Sequence, residues 1–254
     1  MIFITGDTHA DFHKFSKESF WEQLEMTKED FVIICGDFGI WRPDASENWW
    51  FNWLNDKPFT TLFVDGNHEN FDRLYSNEFQ TVDFHGGAAH KIRDSIFHLK
   101  RGEVFELQGK TFFAFGGASS HDIDDGILDE KDFPSHDKFI KEIKHWDKQG
   151  KMFRVNHLSW WKQELPSIDE MNHGREVLQA IGNKVDFVIS HCLPQSAASV
   201  LSNGLYKPDV LTSYFESLLQ SGLEFNRWFC GHYHVDRQIL GKFIALYDQI
   251  IQIV

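Results

Sequence analysis

Cysteine is scarce in this chain, which has only Cys35, Cys192 and Cys230 among 254 residues. The number is odd, and each cysteine lies inside or just after an apolar, strand-like run, which argues against a disulfide framework. No apolar run approaches the roughly 20 residues that cross a bilayer. The opening Met1-Ile2-Phe3 lacks the basic region of a signal peptide. These absences predict a cytoplasmic protein with reduced thiols and no membrane segment.

Basic residues are also in short supply, with 25 Lys and Arg against 38 Asp and Glu and a formal net charge of -13. Such a surface gains nothing from contact with a nucleic acid or an anionic membrane. A site for divalent cations reverses the field locally, so an acidic protein can still bind a phosphate. We therefore expect a small-molecule substrate rather than nucleic acid, and no membrane partner; the sequence does not specify an oligomeric state.

Short apolar runs alternate with helical patterns in the first third of the chain, which indicates an α/β fold. The runs MIFITGD, DFVIICGD and FTTLFVDGNH are apolar on successive residues, as strands covered on both faces are. Residues 12–26 and 45–55 have helical spacing. From residue 89 the chain reads as a meander of strands with a turn at Gln108-Gly109, so the second half of the core is predicted to be antiparallel or mixed.

Residues 119–181 depart from this pattern. They contain an acidic segment, a lysine-rich helical stretch at 137–148, and Ser167 with Glu170 in the spacing of a capping box. We interpret them as a helical insertion, at about 119–181, in a single domain that covers residues 1–254. The strand VDFVISHCLP, the amphipathic helix PDVLTSYFESLLQSG and the strand NRWFCGHYHVD follow, and FIALYDQIIQIV ends the chain as strands.

Five of the apolar strands end in residues that bind metals or transfer protons. The carboxyl ends of strands in an open α/β fold converge on one crevice. Taken alone, each fragment is more typical of a turn, a helix cap or a packed histidine, but five together predict a single site. The five tips are Gly6-Asp7-Thr8-His9, Gly36-Asp37, Gly66-Asn67-His68-Glu69, His191 and Gly231-His232-Tyr233-His234.

The types of ligand at these tips restrict the metal. Carboxylate, amide and imidazole groups without thiolate suit divalent Mn, Fe, Zn, Co or Ni, and argue against a structural zinc site. Two cations about 3.5 to 4 Å apart need a shared ligand, which one carboxylate can supply. Asp37 is the best candidate for that bridge, because it alone has no second strong ligand beside it in the sequence.

The series GDTH, GDFG, GNHE, SH and GHYH resembles, in order and spacing, the motifs of the calcineurin-like metallophosphoesterases, from Asp7 to His234. The segments ENFD, FGGASSHD and SWWKQELPS are similar to those of an uncharacterised bacterial and phage subgroup. The resemblance implies a four-layer α/β/β/α sandwich of two mixed sheets flanked by helices. It also implies hydrolysis of a phosphomonoester or phosphodiester by in-line attack of a metal-bound hydroxide at a binuclear centre, for which manganese is one suitable metal.

The resemblance assigns a role to each matching position. His68 would be the catalytic acid that protonates the leaving-group oxygen, and Asn67 and His68 would contact the substrate. The implied metal ligands are Asp7, His9 and His234 for one ion, Asn67, His191 and His232 for the other, and Asp37 as the bridge.

The chain departs from the family pattern in its second motif. Protein phosphatases of this family carry Gly-Asp-x-x-Asp-Arg, whereas Ile40 and Trp41 stand here in place of the second Asp and the Arg. That Asp would orient the catalytic histidine and that Arg would bind the phosphate, so the departure argues against a phosphoserine/threonine phosphatase. Arg42 and Arg73 are candidate replacements for the Arg, although surface roles are favoured for both. Asp65 is interpreted as a strand-end turn residue.

Two further groups of residues have competing interpretations. His121 and Asp122 would reach the rim of the site, but SSHD is favoured as a turn cluster. Trp160 and Trp161 are interpreted as helix packing rather than as a base-stacking platform.

Two other functions compete with the phosphoesterase. One is a non-catalytic scaffold or interaction module on the same fold, in which broken ligand positions are expected; all seven are intact here. The other is a binuclear hydrolase of acyl substrates on a different fold, against which the GNHE motif argues.

Overall fold

Two mixed sheets form the centre of the computed structural model, which describes residues 1–254. The strands are β1 (Ile2–Thr5), β2 (Phe31–Ile34), β3 (Thr60–Phe63), β4 (Gln80–Phe84), β5 (Gly87–Arg93), β6 (Ile96–Leu99), β7 (Glu103–Leu107), β8 (Lys110–Phe115), β9 (Gly126–Leu128), β10 (Phe153–Val155), β11 (Phe187–Ser190), β12 (Arg227–Cys230), β13 (Arg237–Ile239), β14 (Phe243–Ala245) and β15 (Ile250–Gln252).

The first sheet has seven strands in the order β15-β1-β2-β3-β6-β5-β4, and the second has six in the order β13-β14-β12-β11-β8-β7. The central strands of each sheet are parallel, and the antiparallel pairs lie toward the edges. The prediction of a mixed second sheet is confirmed. Parallel neighbours present their carboxyl ends at the same edge, which brings the motif-bearing strand ends together.

Six helices accompany the sheets, and none of them is long and apolar enough to cross a membrane. They are α1 (Ala45–Asn55), α2 (Phe71–Leu74), α3 (His136–Lys148), α4 (Ile168–Ala180), α5 (Gln195–Ser202) and α6 (Val210–Gln220). Helix α4 begins with the predicted capping box, in which Ser167 accepts from the Glu170 amide and Glu170 accepts from the Ser167 amide. The helices predicted at 45–55 and 137–148 also form.

Alternation along the strands divides the core into layers, as the pleat requires. In β1, Ile2 and Ile4 point into the cluster between the two sheets, whereas Phe3 points to the outer cluster that packs against α1. In β12, Phe229 faces the layer between the sheets, and Trp228 faces the cluster formed with α4, α5 and α6. The fold is therefore the four-layer α/β/β/α sandwich that the motifs imply.

The prediction of a helix over residues 12–26 is wrong. This segment contains two short 3-10 helices, His13–Phe15 and Trp21–Glu25. Phe12, Phe15 and Phe20 are buried against the sheet, so their spacing reflects three separate anchors rather than one face of a regular helix.

Residues 119–181 contain more than helices. Strands β9 and β10 form a small parallel sheet, and α3 covers it through a cluster of Leu128, Phe139 and Val155. The predicted boundaries of the insertion stay a prediction.

Candidate metal centre

The strand ends of both sheets bring the predicted ligands together. Asp7 and His9 follow β1, Asp37 follows β2, Asn67 follows β3, His191 follows β11, and His232 and His234 follow β12. Two groups have ligand atoms that all lie within 4.8 Å of one another, and the groups share Asp7: they are Asp7, His9 and His234, and Asp7, Asp37 and His191.

Two carboxylates lie among these imidazoles. Asp7 Oδ2 is 3.2 Å from His234 Nε2 and 3.6 Å from His9 Nε2, and Asp7 Oδ1 is 3.8 Å from His191 Nδ1. Asp37 Oδ2 is 3.8 Å from His9 Nδ1 and 3.4 Å from His191 Nε2. Each carboxylate thus faces imidazoles from both proposed metal sets, and the role of Asp37 as the bridge stays a prediction.

The imidazole of His191 is oriented by the backbone. Its Nδ1 lies 2.7 Å from the carbonyl oxygen of Cys35 and donates to it. Its Nε2 lone pair then faces two oxygens, Asn67 Oδ1 at 3.2 Å and Asp37 Oδ2 at 3.4 Å. A lone pair and two acceptor oxygens repel one another unless a cation or a proton lies between them, and a backbone acceptor behind the ring is typical of metal-binding histidines. The arrangement therefore fits a cation.

The electrostatics of the cluster also favour positive charge. Although burial opposes it, Asp37 and Asp7 raise the pKa of His191 to about 10. Burial lowers the pKa of His9 and, more strongly, that of His232, which keeps both imidazoles neutral and able to act as ligands. The three cysteines are buried, and burial raises the pKa of each thiol well above its usual range. The donor set is thus carboxylate, amide and imidazole, without thiolate.

His232 lies outside both of the close groups, at the far side of His191. The two rings are in edge contact, with centroids 5.0 Å apart. The Nε2 atom of His232 also lies 2.6 Å from that of His121, whose ring stacks on Tyr206. The cluster SSHD, interpreted from the sequence as a turn, therefore reaches the site through His121.

Four of the seven proposed ligands have left-handed backbone conformations, which are strained for residues with a side chain. The φ angles are +46° for His9, +47° for Asp37, +67° for His232 and +49° for His234. Such strain persists only where the surroundings fix the backbone, and it concentrates at functional sites.

The glycines that precede the motif residues allow the strand ends to approach closely. A Cβ on Gly66 would overlap Asp37 Oδ1, and a Cβ on Gly231 would overlap Asp7 Oδ1. A Cβ on Gly36 would overlap the His191 ring, and one on Gly6 would overlap the backbone carbonyl of Leu246. Gly thus precedes the polar residue in four of the five tips because another segment approaches each position too closely for a side chain.

Glu69, the last residue of GNHE, holds the loop that carries Asp37. Its carboxylate accepts hydrogen bonds from the backbone amides of Phe38 at 2.6 Å and Ile40 at 2.8 Å, and also from Gly39. The side chains of Phe38 and Ile40 are fully buried in the cluster beneath α1. The loop after Asp37 is therefore apolar because its side chains belong to the core, and its amides are satisfied by Glu69.

The imidazole of His68 has no hydrogen-bonding partner from the second motif. Ile40 is buried in the core, and the Trp41 indole donates to the backbone carbonyl of His68 rather than to its ring. The ring packs edge-on against His9, with centroids 5.5 Å apart. Burial lowers the pKa of His68, against the influence of Asp37.

Asp65 does not orient His68, and its interpretation as a turn residue is wrong. Its carboxylate is fully buried and pairs with Arg101, which donates from Nε at 3.0 Å and from Nη2, and it also lies 3.1 Å from His98 Nε2. The Arg101 guanidinium also donates to the carbonyl of Gln163 at 2.8 Å. Asp65 thus anchors residues 119–181 to the strand ends.

A second polar chain reaches the site from residues 119–181. Asn67 Nδ2 donates to Ser120 Oγ at 3.3 Å, and that hydroxyl donates to the buried carboxylate of Glu164 at 2.7 Å. Because Nδ2 is engaged, Asn67 Oδ1 turns toward His191. Sequence reasoning gave no role to Ser120 or Glu164, although they lie in the segments FGGASSHD and SWWKQELPS that resemble a subgroup of the family.

A cleft of about 550 Å³ opens beside His9 and His68. Arg154 lines it and is held by Asp122, with Nε 2.8 Å from Oδ1. Arg73, by contrast, is paired with Glu47 and Glu78. Trp161 also borders the cleft; it lies outside any α-helix, but it is buried and its indole donates to Asp72 of α2, so its interpretation as helix packing stays a prediction.

Comparison with known proteins matches residues 1–236 to the family model described as calcineurin-like phosphoesterase. Among solved structures, the chain is similar to the phosphopantetheinyl hydrolase PptH from Mycobacterium tuberculosis, with 13% sequence identity and a TM-score of 0.40. That match covers 97% of this chain and 89% of the other. No curated protein matches the chain.

Proposed function

The chain belongs to the calcineurin-like phosphoesterase family, and we propose that it hydrolyses a phosphomonoester or phosphodiester at a centre that holds two divalent cations. The observation that carries this proposal is the convergence of two ligand groups around Asp7, with Asp37 facing imidazoles of both proposed sets. A family member that served only as a scaffold would not need to keep every donor, so the complete donor set supports an enzyme.

Each proposed ligand has a place in this scheme. The first ion would be held by Asp7, His9 and His234, and the second by Asn67, His191 and His232, with Asp37 between them. Two such ions would neutralise phosphoryl charge. They would also lower the pKa of a water molecule, so that hydroxide would be available as the nucleophile near neutral pH. The ions would be Mn, Fe, Zn, Co or Ni, which all accept this donor set.

His68 is the proposed general acid. It lines the cleft together with His9 and sits next to the ligand Asn67, so a substrate bound to the metals would present its leaving-group oxygen toward the cleft. A positioned general acid contributes roughly 10² to 10⁴ in rate. Asn67 and His68 would therefore both contact the substrate.

Arg154 is the proposed replacement for the missing phosphate-binding Arg. It lines the same cleft as His68, and its ion pair with Asp122 orients the guanidinium while leaving 23% of the side chain exposed. A planar guanidinium suits phosphate oxygens. Arg73 is already neutralised by two carboxylates, and it is therefore less suited to this role.

The surroundings of the site support two broader proposals. Residues 119–181 would be an insertion in a single domain over residues 1–254, because Arg101 and Asn67 tie them to the strand ends through Gln163 and Ser120. A cytoplasmic location is supported by three buried free thiols, and a small-molecule substrate is supported by the net negative charge and the concave cleft of about 550 Å³.

Metal-dependent turnover tests the proposal. The purified protein is stripped of metal, reloaded with Mn²⁺ or another divalent ion, and assayed on p-nitrophenyl phosphate and bis-p-nitrophenyl phosphate. We expect turnover of at least one ester, two bound metal ions per chain, and loss of activity in Asp37→Asn and His68→Ala. Asp83→Asn, an exposed carboxylate on β4, is the matched control. Absence of metal-dependent turnover of either ester, with wild type and Asp37→Asn alike, would overturn the proposal.

A further inference from the structure

The cleft beside His68 is larger than a phosphate group requires. Its volume of about 550 Å³ lies within the range of roughly 300–1,000 Å³ typical of small-molecule sites. Four parts of the chain build it: residues 9–12, the segment from Gly39 to Phe51, the residues around His68, and residues 154–161. The proposed catalytic acid stands at its edge, so the cleft is positioned to receive the group that leaves the phosphorus.

Three indole rings line this space, and each is held in place. Trp41 donates to the backbone carbonyl of His68, and Trp161 donates to Asp72 Oδ2 at 2.7 Å. Trp50 packs edge-on against the ring of Phe12, with centroids 5.7 Å apart. Trp41 is 43% exposed. Fixed indoles that are partly exposed, as Trp41 and Trp50 are, offer flat apolar surface on which a ring can stack with little loss of conformational freedom. Trp161 is only 5% exposed and borders the cleft without offering such a surface.

Two polar side chains of the cleft have no partner within the protein. Arg42 and Ser46 line the space, and neither side chain makes a hydrogen bond or an ion pair. The carboxylates of the lining are engaged: Asp44 caps α1 through the amide of Glu47, and Glu47 pairs with Arg73. Both side chains are exposed to solvent. The groups of the cleft that are free to bind a ligand therefore include hydrogen-bond donors, which suit the heteroatoms of a ring better than an alkyl chain.

We infer that this cleft is the leaving-group subsite and that it binds a planar heteroaromatic ring, so that the substrate is a phosphoester of a nucleoside. The ring stacks on the partly exposed indoles that line the cleft, and Arg42 and Ser46 donate hydrogen bonds to its heteroatoms. The phosphate reaches the metal centre past Arg154 and His68. This inference rests on the proposed phosphoesterase function, but the cleft binds the ring whether or not the ester is cleaved.

Equilibrium binding tests the subsite independently of catalysis. The Mn²⁺-loaded protein is titrated with adenosine and with ribose by calorimetry. We expect adenosine to bind at least about tenfold more tightly, because stacking of one base on an aromatic side chain typically contributes that much. Trp50→Leu should weaken adenosine binding about tenfold, whereas Trp21→Leu, at a 61% exposed position that does not line the cleft, should not weaken it.

Arg42→Ala is the second variant, since the Arg42 side chain is exposed and makes no hydrogen bond or ion pair within the protein. It should weaken adenosine binding several-fold and leave the circular dichroism spectrum unchanged. Equal binding of adenosine and ribose, or equal effects of Trp50→Leu and Trp21→Leu, would overturn the inference.

Kinetics then separate the subsite from the proposed chemistry. Adenosine 5′-monophosphate, ribose 5-phosphate and hexyl phosphate are compared by kcat/KM. We expect the nucleotide to be preferred, and Trp50→Leu to lower its kcat/KM about tenfold more than that of ribose 5-phosphate. Hydrolysis of all three at equal kcat/KM, or preference for hexyl phosphate, would refute the aromatic subsite while leaving the phosphoesterase intact. Adenosine binding without hydrolysis of any ester would refute the phosphoesterase and keep the subsite.

Discussion

The carboxylate of Glu69 accepts the backbone N–H of Ile40 at 2.8 Å, and through this contact the GNHE motif holds the loop of the GDFG motif. Phe38 donates to the same carboxylate at 2.6 Å. Asp37, immediately before this loop, in turn accepts from the amide of His68 at 2.8 Å. The carboxylate of each motif therefore accepts hydrogen bonds from backbone amides of the other, and these contacts fix the two loops independently of any metal.

Replacement of Glu69 tests this mutual support. Glu69→Gln places an amide N–H₂ where backbone donors converge, so at least one amide loses its acceptor in a buried setting. We expect the free energy of unfolding to fall by about 1–3 kcal/mol, measured by urea denaturation of the metal-free protein. Glu25→Gln, at an exposed position, should change it by less than about 0.5 kcal/mol. Equal stability of the two variants would show that Glu69 does not hold the loop.

The buried pair of Asp65 and Arg101 predicts a pH dependence of stability. Although burial opposes it, Arg101 and His98 lower the pKa of Asp65 from its ordinary 3.8 to about 2. The stabilisation is therefore fully present above pH 3.8 and is lost as the pH falls toward 2. It amounts to about 2 kcal/mol.

Asp65→Asn is the corresponding variant. At pH 7 we expect the free energy of unfolding to fall by about 3 kcal/mol, because the variant leaves the buried Arg101 without its anionic partner. The difference in the free energy of unfolding between wild type and the variant should narrow by about 2 kcal/mol as the pH falls from 5 to 2, as measured by urea denaturation at each pH. A difference that is constant with pH would contradict the assignment. Glu224→Gln, which breaks an exposed pair with Lys184, serves as the control.

Arg154, which the sequence did not single out, and Arg73, which it named as a candidate for phosphate binding, should behave differently. Arg154→Met should lower kcat/KM for a phosphoester about 10- to 100-fold, the effect of losing one charge-assisted hydrogen bond to phosphate, with little change in melting temperature. Arg73→Met should lower stability instead, because it leaves Glu47 half-buried without its cation. Arg227→Met, at an exposed position on β12, controls for net charge. Reversal of this pattern would identify Arg73 as the phosphate-binding residue.

The hydroxyl of Ser120 should affect metal affinity without touching a metal. Ser120→Ala frees Asn67 Nδ2 from its partner and removes the donor to Glu164. Loss of such an orienting hydrogen bond typically costs 10- to 100-fold in metal affinity, which competitive chelator titration with Mn²⁺ can measure. Ser119→Ala, the adjacent hydroxyl, is the control. Unchanged affinity in Ser120→Ala would show that the Asn67 amide is oriented by other contacts.

Helix starts and strand ends were largely predictable from the sequence, because they depend on neighbours in the chain. Ser167 and Glu170 lie three residues apart and form the predicted capping box. The prediction of a helix over residues 12–26 was wrong because Phe12, Phe15 and Phe20 are each buried by tertiary packing, and their spacing resembles that of one face of a helix. Asp65 was misread for a related reason, since its partner Arg101 lies 36 residues away on another segment.

The sequence by itself determined the family and the proposed ligands. Each motif is a short run at the end of a buried strand, and both the run and its glycine can be recognised without the structure. It also showed that Ile40 and Trp41 replace the usual Asp and Arg. Only the tertiary structure decided what stands around the site: Glu69 beneath the loop of Asp37, Ser120 behind Asn67, and Arg154 beside His68. These contacts join segments that are distant along the chain. Burial and charge pairing determine which of these residues meet only when the two sheets are packed together.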